Sequence, residues 1–179
     1  MIEKLTYTGI GSRNLSKDQY KFCKNIAKEM AIHGWILRSG GAPGADSAFE
    51  EGCDEVDGEK EIFLPWHGFN NNRSKYFSPT LEAYDMARKF HPNYSSLSSG
   101  TIKLMARNSH QIFGKNMNES VNIVLYSALE TQCGIVLGGT GQAVRIAKYY
   151  KIPVINLYYI YELDPKFIVD QVKHAVYIN

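Results

Sequence analysis

The sequence predicts an α/β protein built on a mostly parallel sheet with helices on both faces. Three observations carry this. Short apolar, β-branched runs alternate along the chain with stretches whose apolar residues recur at helical spacing. Glycine-rich turns leave the first two of those runs directly, and a third glycine cluster precedes a helical stretch. No internal repeat, low-complexity segment or linker interrupts the 179 residues, a length suited to one sizeable core, so residues 1–179 are expected to form a single domain.

Taken in order, Leu5 to Ile10 is an apolar run that enters Gly-Ile-Gly, the pattern of a strand meeting a tight turn. Ser16 and Gln19 have the spacing of a capping box. Phe22, Ile26, Ala27 and Met30 then mark one helical face, and Gly34 stands where a helix-ending glycine belongs. Residues 35–37 form a second strand, 46–55 a second helix, and 61–66 a third strand with Pro65 near its end. Residues 67–77 are polar and asparagine-rich and read as a long loop. Ser78 and Pro79 mark a helix start, cap then first turn, and that helix runs to about Phe90. After a second loop over 91–100 come a helix over 101–113 and a strand over 121–126; 135–137 is too short to assign. A glycine turn at 138–141 leads into a helix over 142–150, 152–157 is a last strand, and Asp164-Pro165 opens a terminal helix. The order is β-α-β-α-β-α-α-β-α-β-α.

Composition narrows the function classes. A formal net charge of +2 implies no broad basic face for duplex DNA. Cys23, Cys53 and Cys133 are isolated and odd in number, which fits reduced thiols. The five histidines have no ligand spacing, so no metal and no resident cofactor are expected. No apolar segment has the length of a signal or a membrane span, so a cytoplasmic protein without membrane contact is expected. The 12 tyrosines suit core and interface packing. Trp66 and Tyr76 flank the asparagine loop where they can stack on a base, with core packing the favoured role for Trp66. The segment YYIYEL, residues 158–163, offers a surface for homo-oligomerisation.

The glycine turns carry the chemistry. The first holds Gly9, Gly11, Ser12 and Arg13; the second Ser39, Gly40, Gly41, Gly44, Ala45 and Asp46; the third Gly138, Gly139, Thr140 and Gly141, followed by Gln142. In a parallel sheet, turns from strands to helices share the carboxyl edge, where ligands bind. Glycine lets backbone approach a ligand closely, the first amides of a helix lack internal partners, and the helix dipole adds positive charge there. The combination favours phosphate. Neither GxGxxG nor GxxxxGK[ST] is present. Arg13 can pair with phosphate or remain a surface arginine. Asp46 can cap the second helix or accept from a ribose. Glu50 reads as helix surface, and Arg107-Asn108 as a ligand-facing or an exposed helical pair.

The stretches "GIGSR", "LRSGGAPGADSAFEEG", "MARN" and "GGTGQAVRIA" followed by "IPVINL" resemble, in this order over about residues 5–157, the SLOG superfamily. Its members are related to DNA-processing protein A (DprA) and to the lysine-decarboxylase-like LOG enzymes, and the small stand-alone phage and bacterial members look most similar. The resemblance implies a Rossmann-like fold with a nucleotide-derived ligand at the glycine turns, and it extends to Arg107 and Asn108. LOG phosphoribohydrolases carry a glutamate just after the last glycine motif; here that stretch holds Arg145 and no acid. The expectation is therefore a protein that binds a nucleoside phosphate, an ADP-ribose-like molecule or a cyclic nucleotide signal. Its role would be sensing or sequestration, including phage action against host immune signalling. One alternative is a nucleotide N-glycoside hydrolase using Asp46 or Glu50 as its carboxylate. Another is a DprA-like single-stranded DNA binder, which the short, near-neutral chain does not favour.

Overall fold

The computed structural model describes residues 4–177. Its elements run β1 (Thr6–Gly11), α1 (Lys17–Ile32), β2 (Ile36–Ser39), α2 (Ala45–Asp54), β3 (Lys60–Leu64), β4 (Tyr76–Phe77), α3 (Leu81–Phe90), α4 (Ser99–Phe113), β5 (Ile123–Ser127), α5 (Gly138–Tyr149), β6 (Val154–Asn156) and α6 (Pro165–Tyr177). The six strands form one sheet in the order β4-β3-β2-β1-β5-β6, and every pairing is parallel. The fold is α/β and Rossmann-like.

Strand alternation explains the two layers. In β5, Ile123 and Leu125 join the core shared with α1, α2 and α6, while Val124 and Tyr126 join the opposite core under α4 and α5. In β1, Tyr7 faces α2 and Ile10 faces the α4 side. Ile26, Met30 and Phe49 are fully buried, each contributing about 1.5–3 kcal/mol by removal from water. The chain leaves β1 toward β2 on one side, and β5 pairs with β1 on the other. The order therefore reverses between β1 and β5, which opens a crevice at their carboxyl ends.

Local signals are in place where the sequence puts them. Gln19 N–H donates to Ser16 Oγ at 3.2 Å, and Ser16 N–H donates to Gln19 Oε1 at 3.0 Å. Other boundaries differ. Two residues of the expected loop, Tyr76 and Phe77, pair with Phe63 and Leu64 as an edge strand. Ser78 has φ of 63° and is not a helix cap; Thr80 caps α3 instead. Helix α5 begins at Gly138, so the glycines 138–141 are its first turn, not a loop before it. Among the described residues, no helix is long and apolar enough to cross a membrane.

Candidate functional site

The first two glycine turns are fastened to each other. Ser12 N–H donates to Ser127 O at 2.8 Å, and Ser12 O accepts from Ala45 N–H at 3.0 Å. Gly44 makes this approach possible: its φ is 85°, and a Cβ there would strike Ser12 O and the Arg13 backbone. The same contact narrows the expectation of free amides at the start of α2. Ala45 N–H is taken by Ser12, and Ser47 N–H by Ala42 O at 3.1 Å. The Asp46 carboxylate turns back to accept from Ala42 N–H at 3.4 Å.

The open amino terminus belongs to α5. Its N-cap, Leu137, has no side chain able to bond the first amides, and among the described residues no hydrogen bond occupies the N–H groups of Gly138, Gly139 or Thr140. They begin a helix of twelve residues, so the end carries the partial positive charge of the dipole. Asn108 Nδ2 donates to Gly139 O at 3.1 Å, and Gln142 Nε2 to Met105 O at 3.4 Å, which fixes α5 against α4.

Helix α4 supplies the floor. From Met105 to Phe113 every residue is buried, although five in a row, Arg107 to Gln111, are polar. Arg107 reaches across the second turn. Its Nη1 lies 3.5 Å from Asp46 Oδ2 and donates to Phe63 O at 3.4 Å, and its guanidinium sits 5.9 Å from the Phe69 ring centre. Gly40 leaves room for this: a Cβ would overlap the guanidinium. Among the described residues, Arg107 Nε and Gln111 Nε2 are buried donors without partners. Burial lifts the Asp46 carboxyl above the ordinary carboxylate value, and Arg107, the amides of Ala42 and Gly11, and the charge of Arg13 oppose that rise. Burial also lowers the Arg107 pKa, against the attraction of Asp46.

These elements enclose a cleft of about 350 Å³ at the switch point. Of the residues expected at a site, Gly11, Ser12, Arg13, Asp46, Arg107, Asn108, Gly139 and Thr140 line it. The others lie elsewhere. Gly9 is packed under the Phe49 ring. Ser39 Oγ donates to Gly9 O at 2.7 Å, tying β2 to β1. Gly41 O accepts from Asn70 Nδ2 at 3.0 Å. Gly40, Gly44 and Ala45 serve the contacts above, Gly141 and Gln142 are buried behind the cleft wall, and Gly138 is exposed at the helix tip. Glu50 points away from the cleft, held by Lys60 Nζ and Asn72 Nδ2, each at 2.9 Å. Of the two candidate carboxylates, Asp46 alone lines the cleft. Arg145 donates from Nε to Phe90 O at 3.1 Å, outside it.

Ile10 and Ala42 line it from within the first two turns, and four lining residues were not anticipated: Thr101, Leu104, Met105 and Gln111. Thr101, Leu104, Met105, Asn108 and Gln111 share one helical face, a spacing readable from the sequence once Asn108 is placed in the site. Trp66, expected in the core, is 39% exposed and packs edge-on against Phe69; Tyr76 packs on Phe63. Neither lines the cleft, whose apolar walls are Ile10, Leu104 and Met105. Cys23 and Cys53 are buried and Cys133 is exposed, all as free thiols.

Comparison of the sequence with protein-family profiles and with curated proteins finds no match. Solved structures do resemble the fold. The molybdenum cofactor binding protein from the phototrophic bacterium Rippkaea orientalis is 17% identical with a TM-score of 0.63, covering 98% of this chain and 99% of that one. The Chlamydomonas rheinhardtii Moco carrier protein is 19% identical with a TM-score of 0.53, covering 87% and 77%. DNA processing protein A from Helicobacter pylori, described for its single-stranded DNA binding mode, is 17% identical with a TM-score of 0.52. The match covers 84% of this chain and spans 63% of the Helicobacter chain.

Proposed function

We propose that the protein binds a small phosphorylated nucleotide derivative in this cleft, as a sensing or sequestering member of the SLOG superfamily. The observation that carries this is the open amino terminus of α5, whose Gly139 and Thr140 share the cleft with Arg13, an exposed arginine without an ion-pair partner among the described residues. The amides and the guanidinium take the phosphate. Ile10, Leu104 and Met105 flank a flat ring, and the Asp46 carboxylate accepts from sugar hydroxyls. The unpartnered donors of Arg107 and Gln111 in the same wall favour a ligand rich in acceptors. The likeness to a molybdenum cofactor binding protein over nearly the whole of both chains supports a small-molecule role and adds that cofactor to the candidates.

The test is native mass spectrometry of protein purified from cells, followed by thermal-shift titration with nucleoside phosphates, ADP-ribose, cyclic dinucleotides and molybdenum cofactor. A ligand at one hundred times its Kd stabilises the fold by about 2.7 kcal/mol. A co-purifying phosphorylated mass and a saturable shift are expected. No co-purifying mass, together with no shift across the panel at millimolar concentration, overturns the proposal.

One observation favours turnover as a second reading: Asp46 brings a carboxyl, raised by burial, into the cleft. Chromatography of the bound nucleotide after incubation separates the two. Intact ligand supports binding alone, and free base with ribose phosphate supports N-glycoside hydrolysis.

A further inference from the structure

The end of the cleft at the α5 amino terminus adjoins a second hollow of about 320 Å³, and Ser12 and Thr140 line both. The hollow is walled by Leu129, 63% exposed, and Leu137, 70% exposed, with Glu130 between Ala128 and Thr131. Its outer wall is built. Glu130 and Val136 form an antiparallel bridge, and Thr131 N–H donates to Ile135 O at 2.9 Å. Glu130 Oε1 accepts from Tyr126 Oη at 2.9 Å and Asn156 Nδ2 at 3.0 Å, while Glu130 N–H donates to Tyr159 Oη at 3.0 Å.

Charge is ordered along the two lobes. Thr140, with its free amide, lines both lobes, and Gly139 and Arg13 add positive charge on the cleft side. Arg107 and Gln111 line the cleft, and Glu130, an acid, lines the second lobe. A carboxylate there rejects phosphate and accepts from hydroxyl or amino groups, and the two leucines offer an apolar surface to a flat face. Each lobe alone is at the small end of the roughly 300–1,000 Å³ typical of ligand sites.

We infer that the ligand is two-headed: a phosphate bridge at the α5 amino terminus, one nucleoside in the cleft, and a second nucleoside-like group, rich in donors, in the lobe of Leu129 and Glu130. This rests on the reading of the cleft given above. The experiment is isothermal titration calorimetry of the full chain with the four nucleoside 5′-monophosphates and their four symmetrical dinucleoside 5′,5′-diphosphates. At least one dinucleoside diphosphate is expected to bind about tenfold or more tightly than its mononucleotide. Leu129→Asp and Glu130→Lys, both at exposed or half-exposed positions, are expected to bring that ratio close to one. Equal affinities for the two ligand types in the unaltered protein overturn the two-headed ligand while the cleft reading stands. Absence of binding by both types overturns the cleft reading, and the second lobe's role falls with it. An undiminished ratio in both variants removes the second lobe as the seat of the second head.

Discussion

Arg107→Met is the most revealing perturbation of the site. It keeps most of the side chain's length and removes its charge. Arg107 and Asp46 are 3.5 Å apart with both side chains 6% exposed, so the change leaves a buried carboxylate without its largest favourable neighbour. Breaking a buried pair by removing one partner costs about 3–5 kcal/mol. Asp46 has an escape, which is to take up a proton. Its folded pKa is already lifted by burial, and loss of Arg107 lifts it further. A carboxyl raised in the folded state binds more protons than in the unfolded chain between its ordinary value and its raised one, so stability falls as pH climbs through that window. The deficit of Arg107→Met relative to the unaltered protein should therefore be largest at pH 7–8. It should shrink toward pH 5 by as much as about 1.4 kcal/mol per pH unit. Urea denaturation at a series of pH values, followed by fluorescence of the buried Trp35, measures it. Adding Asp46→Asn to Arg107→Met should recover most of the loss at neutral pH. A deficit independent of pH, together with a double variant no more stable than the single one, would refute the account of a charge held chiefly by its partner.

Two further outcomes follow from the geometry. His110 accepts Thr80 N–H at Nε2 (3.1 Å), and its Nδ1 lies 2.9 Å from Gly114 O, so the neutral ring with its proton on Nδ1 bridges α3 to α4. Burial lowers its pKa. Stability should therefore decline as pH falls below about 6.5, by at most about 1.4 kcal/mol per unit, and His110→Gln should flatten that decline in urea midpoints compared at pH 7.5 and 5. Thr140→Asp places a carboxylate in the first turn of α5, where it should stabilise the fold by about 0.3–1 kcal/mol. It should also displace the phosphate, seen as a higher urea midpoint with a ligand-induced thermal shift reduced at least tenfold in apparent affinity.

The layered fold was legible because its signals are local. The Ser16–Gln19 box and the alternation of apolar runs with helical faces depend on residues a few positions apart. Strand β4 was not legible: two residues inside a polar loop carry no period, and only pairing with Phe63 and Leu64 makes them a strand. The start of α5 was hidden because glycine is a poor helix former, and here four residues, three of them glycine, make up its first turn. The site was half legible for a related reason. Glycine marks close approach without saying what approaches. At Gly40 and Gly44 the neighbours are Arg107 and Ser12, not a ligand, and contacts so distant in sequence leave no trace in the turn itself. Met105 and Gln111 sit in no glycine turn, and only the helical face they share with Asn108 marks them.

The knot of hydrogen bonds around Ser12 has a consequence for how such a pocket diversifies. One rim is clamped to Ser127 on one side and Ala45 on the other, so mutations there disturb the scaffold before they alter preference for a guest. On the opposite rim, Thr101 and Leu104 stand on the surface of α4, and Thr101 Oγ1 meets only Ser98 Oγ of the same helix cap among the described residues. Under the binding role proposed above, changes at Thr101 and Leu104 retune the choice of guest with the least disturbance to the scaffold.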